Sequence, residues 1–157
     1  RGLKAQGIKL LGTGETQELF LPNFTDDVIG VVTAMHYTET NTNPENTALR
    51  ETLRKLHGEK TVPDIASVAA WDGMNLIYQA LGSLGTKADG LKYIDFMKGK
   101  TLRSPRGTFM IDPEERDIVQ NVYIRRVEKR DGKLVNVDIA SFPMIKDPWK
   151  IDNPVKK

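Results

Sequence analysis

The chain has 157 residues, with 23 Lys and Arg against 21 Asp and Glu, and it contains no cysteine. This composition is that of an ordinary globular domain, and a chain of this length removes roughly two-thirds of its unfolded surface from water without covalent staples. The composition excludes disulfides, thiolate zinc sites, iron–sulfur clusters and a cysteine nucleophile, and the absence of a basic stripe argues against nucleic acid as a partner.

Two short apolar runs near the start of the chain predict buried strands. The first covers residues 7–12 and is closed by Gly12, and the second covers residues 30–37 and is rich in β-branched side chains. Between them, residues 15–20 predict a single helical turn that Pro22 ends.

Three helices are predicted next. Asn43 followed by Pro44 is typical of a helix start, so residues 44–57 predict an amphipathic helix that stops at Gly58. Asp64 predicts the cap of a second, more apolar helix, which ends before Gly85 and which we expect to be mostly buried. A third, shorter helix is predicted over residues 88–98.

From Gly107 onward the pattern predicts strands over residues 108–111, 119–127 and 134–139. The pair Asp131-Gly132 predicts a hairpin turn between the last two, because such turns need positive φ angles. From Pro143 we expect an extended surface strap. The alternation of strands and helices predicts an α/β fold with parallel sheets and helices on both faces.

Only two strands precede the helices, which is too few to bury the edges of a parallel sheet. We therefore expect the chain to be the later part of a longer protein, and we expect the isolated chain to associate into oligomers through its unpaired edges.

The sequence carries no pattern of an enzyme, a metal site or a cofactor site. His36 and His57 are the only histidines, and neither lies at metal-ligand spacing from a second ligand. No serine lies in a nucleophile motif. The Gly-x-Gly pattern at residues 12–14 lacks the third glycine of a dinucleotide loop, since Gln17 stands there. We predict a non-catalytic protein without metal or cofactor.

A small-molecule site is predicted where the first two strands end. Thr13, Gly14 and Glu15 follow the first strand, and His36 and Tyr37 end the second, so all five lie at the edge of the sheet where α/β proteins bind small ligands. Two alternatives stay open: Glu15 caps the next helical turn, or Tyr37 packs beneath the loop rich in Asn and Thr that follows it.

Two later features have structural alternatives as well. Trp71 lies within the apolar helix, where a core position is the default and a wall of a ligand cleft is the alternative. The acidic run over residues 112–117 lacks the spacing of a calcium loop, and we interpret it as a solvated connection between strands.

Blocks in a fixed order along the chain resemble the C-terminal portion of a type I periplasmic substrate-binding protein of the branched-chain amino-acid ABC transporter family. The resemblance extends from about residue 7 to residue 140. The blocks are residues 12–15, 30–34 with Tyr37, 43–46, 70–73, 104–107 with 111–112, and 122–124 leading to 131–132.

The resemblance implies a receptor of two α/β lobes that are joined by three crossing segments and hold the ligand between them. It assigns residues 1–62 to the remainder of the second lobe, residues 63–124 to a segment that crosses back to the first lobe, and residues 125–157 to the return to the second lobe and an extended tail. The break at residues 60–63 falls where a hinge crossing is expected.

The resemblance also implies a function. Such receptors lie in the periplasm, bind a small amino-acid-like ligand and deliver it to an ABC permease, and the missing N-terminal part of the receptor supplies the rest of the cleft. Glu15 matches the acidic residue that receives the ligand's ammonium group in amino-acid-binding relatives, and Trp71 stands where Tyr is commoner. The alternative function is a ligand-sensing domain of a regulator with the same fold.

Overall fold

The structure is a computed structural model that describes residues 2–154. Six strands and four α-helices follow one another in these residues, with short 3₁₀ turns before the second strand. They are β1 Leu11–Gly12, β2 Val32–Met35, α1 Pro44–His57, α2 Ile65–Leu84, α3 Gly90–Met97, β3 Thr101–Leu102, β4 Phe109–Ile111, β5 Ile118–Arg130, β6 Lys133–Ile145 and α4 Pro148–Asp152.

Local capping chemistry sets the helix boundaries. The Asn43 side chain accepts a hydrogen bond from the N–H of Asn46 at the start of α1. At the start of α2, Asp64 and Ser67 form a reciprocal capping box. The predicted bounds of α1 and α2 are confirmed, whereas α3 begins two residues later than predicted because Asp89 is its cap.

The long strand β5 lies at the centre of the sheet. It pairs antiparallel with β4 at residues 118–119, with β2 at residues 123–126 and with β6 along its other side. The predicted α/β class is confirmed, but the expected parallel pairing is confined, within residues 2–154, to β1 with β2. The Asp131-Gly132 hairpin, which is confirmed, makes β5 and β6 antiparallel, and short connections make β3 antiparallel to β4 and β4 antiparallel to β5.

The two ends of the chain differ from the sequence predictions. Residues 15–20 form hydrogen-bonded turns and not a helical turn. Pro22 lies inside the 3₁₀ helix Leu21–Asn23, which is possible because the N–H that proline lacks would have no partner near the start of a helix. The tail from Pro143 is not an extended strap. Strand β6 continues to Ile145, and Pro148–Asp152 forms α4.

Two apolar clusters form the core, and α2 contributes to both. The first consists of Tyr37, Leu49 and Val68, with partly buried Leu53, Ile65 and Trp71 packed against it. The second consists of Leu76, Leu102 and Phe109, with partly buried Met97, Ile111 and Ile118. The first cluster draws side chains from both sides of the predicted boundary at residue 62, and the division into lobe segments stays a prediction.

The expectation that α2 is mostly buried is wrong for this chain. Val68 and Ala80 lie in the interior, but Met74 and Ile77 are each 42% exposed and Tyr78 is 65% exposed. The apolar residues of α2 surround the helix, whereas only one of its faces packs against other described elements.

Candidate functional site

The glycine-flanked turn after β1 presents a carboxylate at the surface. A Cβ on Gly12 would lie 2.4 Å from Oε2 of Glu15, so the absence of a side chain at Gly12 lets this carboxylate fold over the turn. Thr13 and Glu15 are exposed. No capping hydrogen bond from the Glu15 side chain is found within residues 2–154, and turns rather than a helix follow it.

His36 follows β2 and is half-buried. Burial, together with the positive charges of Arg106 and Arg125, lowers the pKa of His36 from its ordinary value of 6.5 to about 4. His36 is therefore an uncharged hydrogen-bonding group at neutral pH.

Tyr37 lies in the core, beneath the loop that follows it. Its side chain has no exposed surface, and its hydroxyl donates to Oδ1 of Asn46 over 2.7 Å. The amide of Asn46 in turn donates to the carbonyl groups of Glu39 and Asn41, which fixes the loop above the ring. This geometry favours the packing interpretation of Tyr37, and its burial raises the pKa of the phenol.

Trp71 packs against the core but is not fully buried, and its place in the wall of a ligand cleft stays a prediction. Part of its indole packs against the cluster of Tyr37, Leu49 and Val68, and the rest stays accessible. A tryptophan held in this way is rigid because one side is fixed by the core, and it can present an aromatic surface on the other.

A buried arginine that the sequence analysis missed holds the end of β2. Arg125 on β5 has no exposed surface. Its Nη1 donates to the Tyr37 carbonyl over 2.8 Å and to Oε1 of Glu18 over 3.3 Å, and its Nε and Nη2 both donate to Oγ1 of Thr33. These bonds fix the backbone on which His36 lies.

The carboxylate that faces Arg125 is shared with β6. Desolvation raises the pKa of Glu18, while the charge of Arg125 opposes that shift. The amide of Asn136 donates to Oε1 of Glu18 over 3.1 Å and to the carbonyl of Thr16 over 2.7 Å. Oε2 of Glu18 has no hydrogen-bond partner in the described part of the chain. The network joins the turn after β1 to β2, β5 and β6.

A second buried arginine, Arg106, also lowers the pKa of His36. Nε of Arg106 is 2.8 Å from Oδ2 of Asp72 on α2, and Ser104 donates to the same carboxylate oxygen over 2.8 Å. Nη1 of Arg106 donates to Oε1 of Gln120 on β5. Within residues 2–154, Nε of Arg106 and Oδ1 of Asp72 lack an aligned hydrogen-bond partner. Desolvation raises the pKa of Asp72.

The buried position of Arg125 has a signal in the sequence, whereas the pairing of Arg106 has none. Tyr123, Arg125 and Val127 occupy alternating positions of a strand and are all buried, so the period of two places a charge on the inner face. Arg106 and Asp72 lie in blocks that the sequence analysis quoted, but no pattern within either block shows that they meet.

Two kinds of feature are absent from the described residues, 2–154. No group of three or more His, Asp or Glu side chains there is arranged to hold a metal ion. No helix among them is sufficiently long and apolar to cross a membrane.

The family model described as "Periplasmic binding protein" matches residues 1–133. The chain is 41% identical over 149 residues to the Leu/Ile/Val-binding protein homolog 6 of Brucella abortus strain 2308. That match covers 94% of this chain and 38% of the relative, so the chain spans less than two-fifths of the relative's length.

Solved structures with the same fold include solute-binding proteins of ABC transporters. One from Rhodopseudomonas palustris BisB5, in complex with 3,4-dihydroxybenzoic acid, matches with a TM-score of 0.88 and 43% identity over 96% of this chain and 41% of that chain. One from R. palustris HaA2, in complex with p-hydroxybenzoic acid, matches with a TM-score of 0.86 and 41% identity over 94% of this chain and 40% of that chain.

Proposed function

The chain belongs to the periplasmic binding protein family, and on that premise we propose that it supplies about two-fifths of a non-catalytic solute receptor for an ABC importer. The receptor works in the periplasm, closes on a small molecule and presents the closed form to a membrane permease. The share of each relative that the chain covers, 38–41%, supports the proposal that further polypeptide supplies the rest of the cleft. The named relatives are transport proteins, which favours a receptor over the sensing domain of a regulator.

We propose an aromatic carboxylic acid of the hydroxybenzoate class as the ligand. The observation that carries this choice is the neighbourhood of β2, where Trp71 offers a rigid aromatic surface and His36 an uncharged hydrogen-bonding group. An aromatic ring gains from contact with the first, and a phenolic hydroxyl pairs with the second. Relatives at 41–43% identity that were solved with hydroxybenzoic acids support the same class.

An amino acid is the second candidate, and a different observation favours it. Glu15 carries an exposed carboxylate at the turn after β1, next to Thr13 and Gly14, and the absence of a side chain at Gly12 leaves room for it. A carboxylate in that position suits an ammonium group, and a charge-assisted hydrogen bond contributes about 1.5–3 kcal/mol. The Leu/Ile/Val-binding name of the Brucella relative favours the same ligand.

In the proposal both candidate ligands contact the same wall of the cleft. Its residues are Thr13, Gly14, Glu15, His36 and Trp71. Tyr37 has a different role in the proposal. Because its side chain is buried and bonded to Asn46, it supports the wall from beneath and does not contact the ligand.

Calorimetric titration of the full-length receptor with 4-hydroxybenzoate and with leucine decides between the candidates. For an aromatic ligand we expect micromolar binding of 4-hydroxybenzoate only, a loss of at least tenfold in Trp71→Leu, and little change in Glu15→Gln. For an amino acid we expect leucine to bind and Glu15→Gln to weaken it by at least tenfold. Tyr78→Leu and Glu51→Gln, which alter exposed helix positions, are the matched controls. Absence of binding by both compounds would contradict both candidates.

The isolated chain is proposed to behave differently from the receptor. Leu11 at the edge strand and Tyr78 on α2 are among the apolar side chains that the described elements leave exposed, and such surfaces promote association. We expect oligomers by light scattering and no binding of either compound. A monomer with micromolar affinity would contradict this.

A further inference from the structure

Strand β5 changes partners in its middle. Residues 118–119 pair with β4 and residues 123–126 pair with β2, whereas residues 120–122 pair with neither. On the other side of β5, the ladder with β6 is irregular at the same place. Gln120 lies opposite Ile145 and Val122 lies opposite Phe142, so two residues of β6 face one residue of β5. We call residues 120–122 the strand switch.

Side chains join the two sides of the strand switch at close range. Oδ1 of Asn121 accepts the N–H of Met144, and its Nδ2 donates to the Tyr123 hydroxyl, both over 3.1 Å. The Tyr123 hydroxyl donates to the carbonyl of Arg106 over 2.6 Å. A Cβ on Gly107 would lie 2.8 Å from that hydroxyl oxygen. These hydrogen bonds connect β5 to β6 through Asn121 and to the loop before β4 through Tyr123. A bend at the switch therefore changes both connections together.

Beyond the strand switch, the tail is fastened to the connection between β4 and β5. Nζ of Lys146 lies 2.5 Å from Oδ2 of Asp112, and Nζ of Lys150 on α4 lies 2.6 Å from Oδ2 of Asp117. The Asp112 carboxylate is itself held in place because it accepts the N–H groups of residues 114 and 115. We call these two ion pairs the tail clasp.

The position of the tail clasp gives it a mechanical role. Strand β6 begins beside Arg130, runs alongside the part of β5 that pairs with β2 and ends beside Gln120 of the strand switch, and the clasp then fastens the chain to the connection between β4 and β5. Strand β6 and the tail together therefore extend along β5 across the switch. If the two sides bend relative to each other, a fastened tail resists the motion and a released tail does not.

We propose that the tail clasp restrains bending at the strand switch and thereby slows the opening that releases ligand from the receptor. The effect on release rests on the proposed receptor function, whereas the restraint of bending does not. A surface ion pair contributes little when its two partners lie on one element. The clasp differs because it joins two separate segments, the tail that continues β6 and the connection between β4 and β5, next to the strand switch.

The test uses the full-length receptor with spin labels at two exposed positions, Lys55→Cys on α1, the helix that follows β2, and Lys92→Cys on α3, the helix that precedes β3. In the ligand-free form we expect Lys146→Ala/Lys150→Ala to broaden the distribution of distances between the labels. We expect the dissociation rate of 4-hydroxybenzoate to rise by about three- to tenfold, since variants of one binding site differ mainly in dissociation.

Two further variants make the outcome specific. Lys98→Ala removes an ion pair of 2.6 Å with Asp95 that is local to the end of α3. This variant should change neither the distance distribution nor the dissociation rate. The exchange Asp117→Lys/Lys150→Asp keeps one clasp pair with its charges reversed. Both the distance distribution and the dissociation rate should then resemble those of wild type. A double alanine variant that behaves like Lys98→Ala would overturn the proposal. If 4-hydroxybenzoate binds to no variant, the aromatic ligand proposal fails, and the label distances alone decide whether the clasp restrains bending.

Discussion

Arg125 and Arg106 are both buried beside a carboxylate, and His36 lies in the field of both, yet the two sites are built differently. Arg125 makes four hydrogen bonds to Glu18, Thr33 and the Tyr37 carbonyl. The Arg106 side chain makes one, to Gln120, and it meets Asp72 at 2.8 Å without an aligned bond from Nε.

The difference indicates which site maintains the fold and which can rearrange. Arg125 lies between strands of one sheet, where its bonds are lost only if the sheet comes apart. Arg106 joins α2 and the loop before β4 to Gln120, at the strand switch. Within residues 2–154, each network leaves one buried carboxylate oxygen without a partner, but the Arg106 side chain has one aligned hydrogen bond where Arg125 has four, so a small displacement costs the Arg106 network less. We therefore expect substitutions at Arg125 to lower stability and substitutions around Arg106 to affect ligand binding as well.

The largest effect is expected from Arg125→Ala. It leaves the Glu18 carboxylate buried without its cation, and removing one member of a buried pair costs about 3–5 kcal/mol. Denaturant unfolding of the full-length receptor measures the loss. Arg126→Ala is the control because the Arg126 side chain is exposed and, within residues 2–154, pairs only with Glu128. If Arg125→Ala yields no folded protein, Arg125→Lys takes its place. A loss below about 1 kcal/mol would contradict the structural role.

Asp72→Asn is expected to have the next largest effect. The amide keeps an acceptor for Ser104 but loses the charge that faces Arg106, so we expect a loss of about 1–3 kcal/mol. Because the Arg106 network meets the strand switch, the affinity for ligand should fall too. Calorimetric titration and denaturant unfolding are measured together. A loss of stability as large as that of Arg125→Ala, with unchanged affinity, would remove the distinction between the two sites.

The pH dependence of stability tests the environment of His36, whose pKa both arginines lower. Its folded pKa of about 4 lies below its ordinary value of 6.5, so the unfolded chain takes up the proton first as the pH falls. The contribution of His36 to stability is complete above pH 6.5 and is lost between pH 6.5 and 4. Because the ring is only half-buried, we expect a loss on the order of 1–2 kcal/mol over that range.

Unfolding of wild type and of His36→Gln at pH 7 and pH 4 measures this loss. The variant should show a smaller decrease between the two pH values, and His57→Gln, at the exposed end of α1, should behave like wild type. Equal pH dependence in all three proteins would show that His36 titrates normally.

Local features were predictable from the sequence because their causes are local. The caps at Asn43 and Asp64 and the Asp131-Gly132 turn depend on residues within a few positions, and the bounds of α1, α2 and the hairpin follow from them. The pairing of β2 with β5 joins residues about 90 positions apart, and no local pattern selects that partner.

The candidate site divides in the same way. The parallel pairing of β1 with β2 follows from strand order and is confirmed, whereas the convergence of Glu15 and His36 in one ligand site stays a prediction. The pairing of Arg125 with Glu18 and that of Arg106 with Asp72 depend on which faces meet after folding. The exposed face of α2 has the same cause, because apolar periodicity does not specify which face other elements cover.

The smallest effect is expected from Tyr37→Phe, and it separates the packing role of this residue from a ligand contact. The substitution removes the 2.7 Å hydrogen bond to Asn46 and leaves the ring in the core, so stability should fall by about 0.5–1.5 kcal/mol. Because Arg125 holds Tyr37 through its backbone carbonyl, the arginine network should survive. Affinity for 4-hydroxybenzoate and for leucine should match wild type in calorimetric titration. Tyr78→Phe, at an exposed position of α2, is the control for loss of a hydroxyl alone. A tenfold loss of affinity in Tyr37→Phe, with unchanged stability, would place the hydroxyl in the ligand site and contradict the packing interpretation.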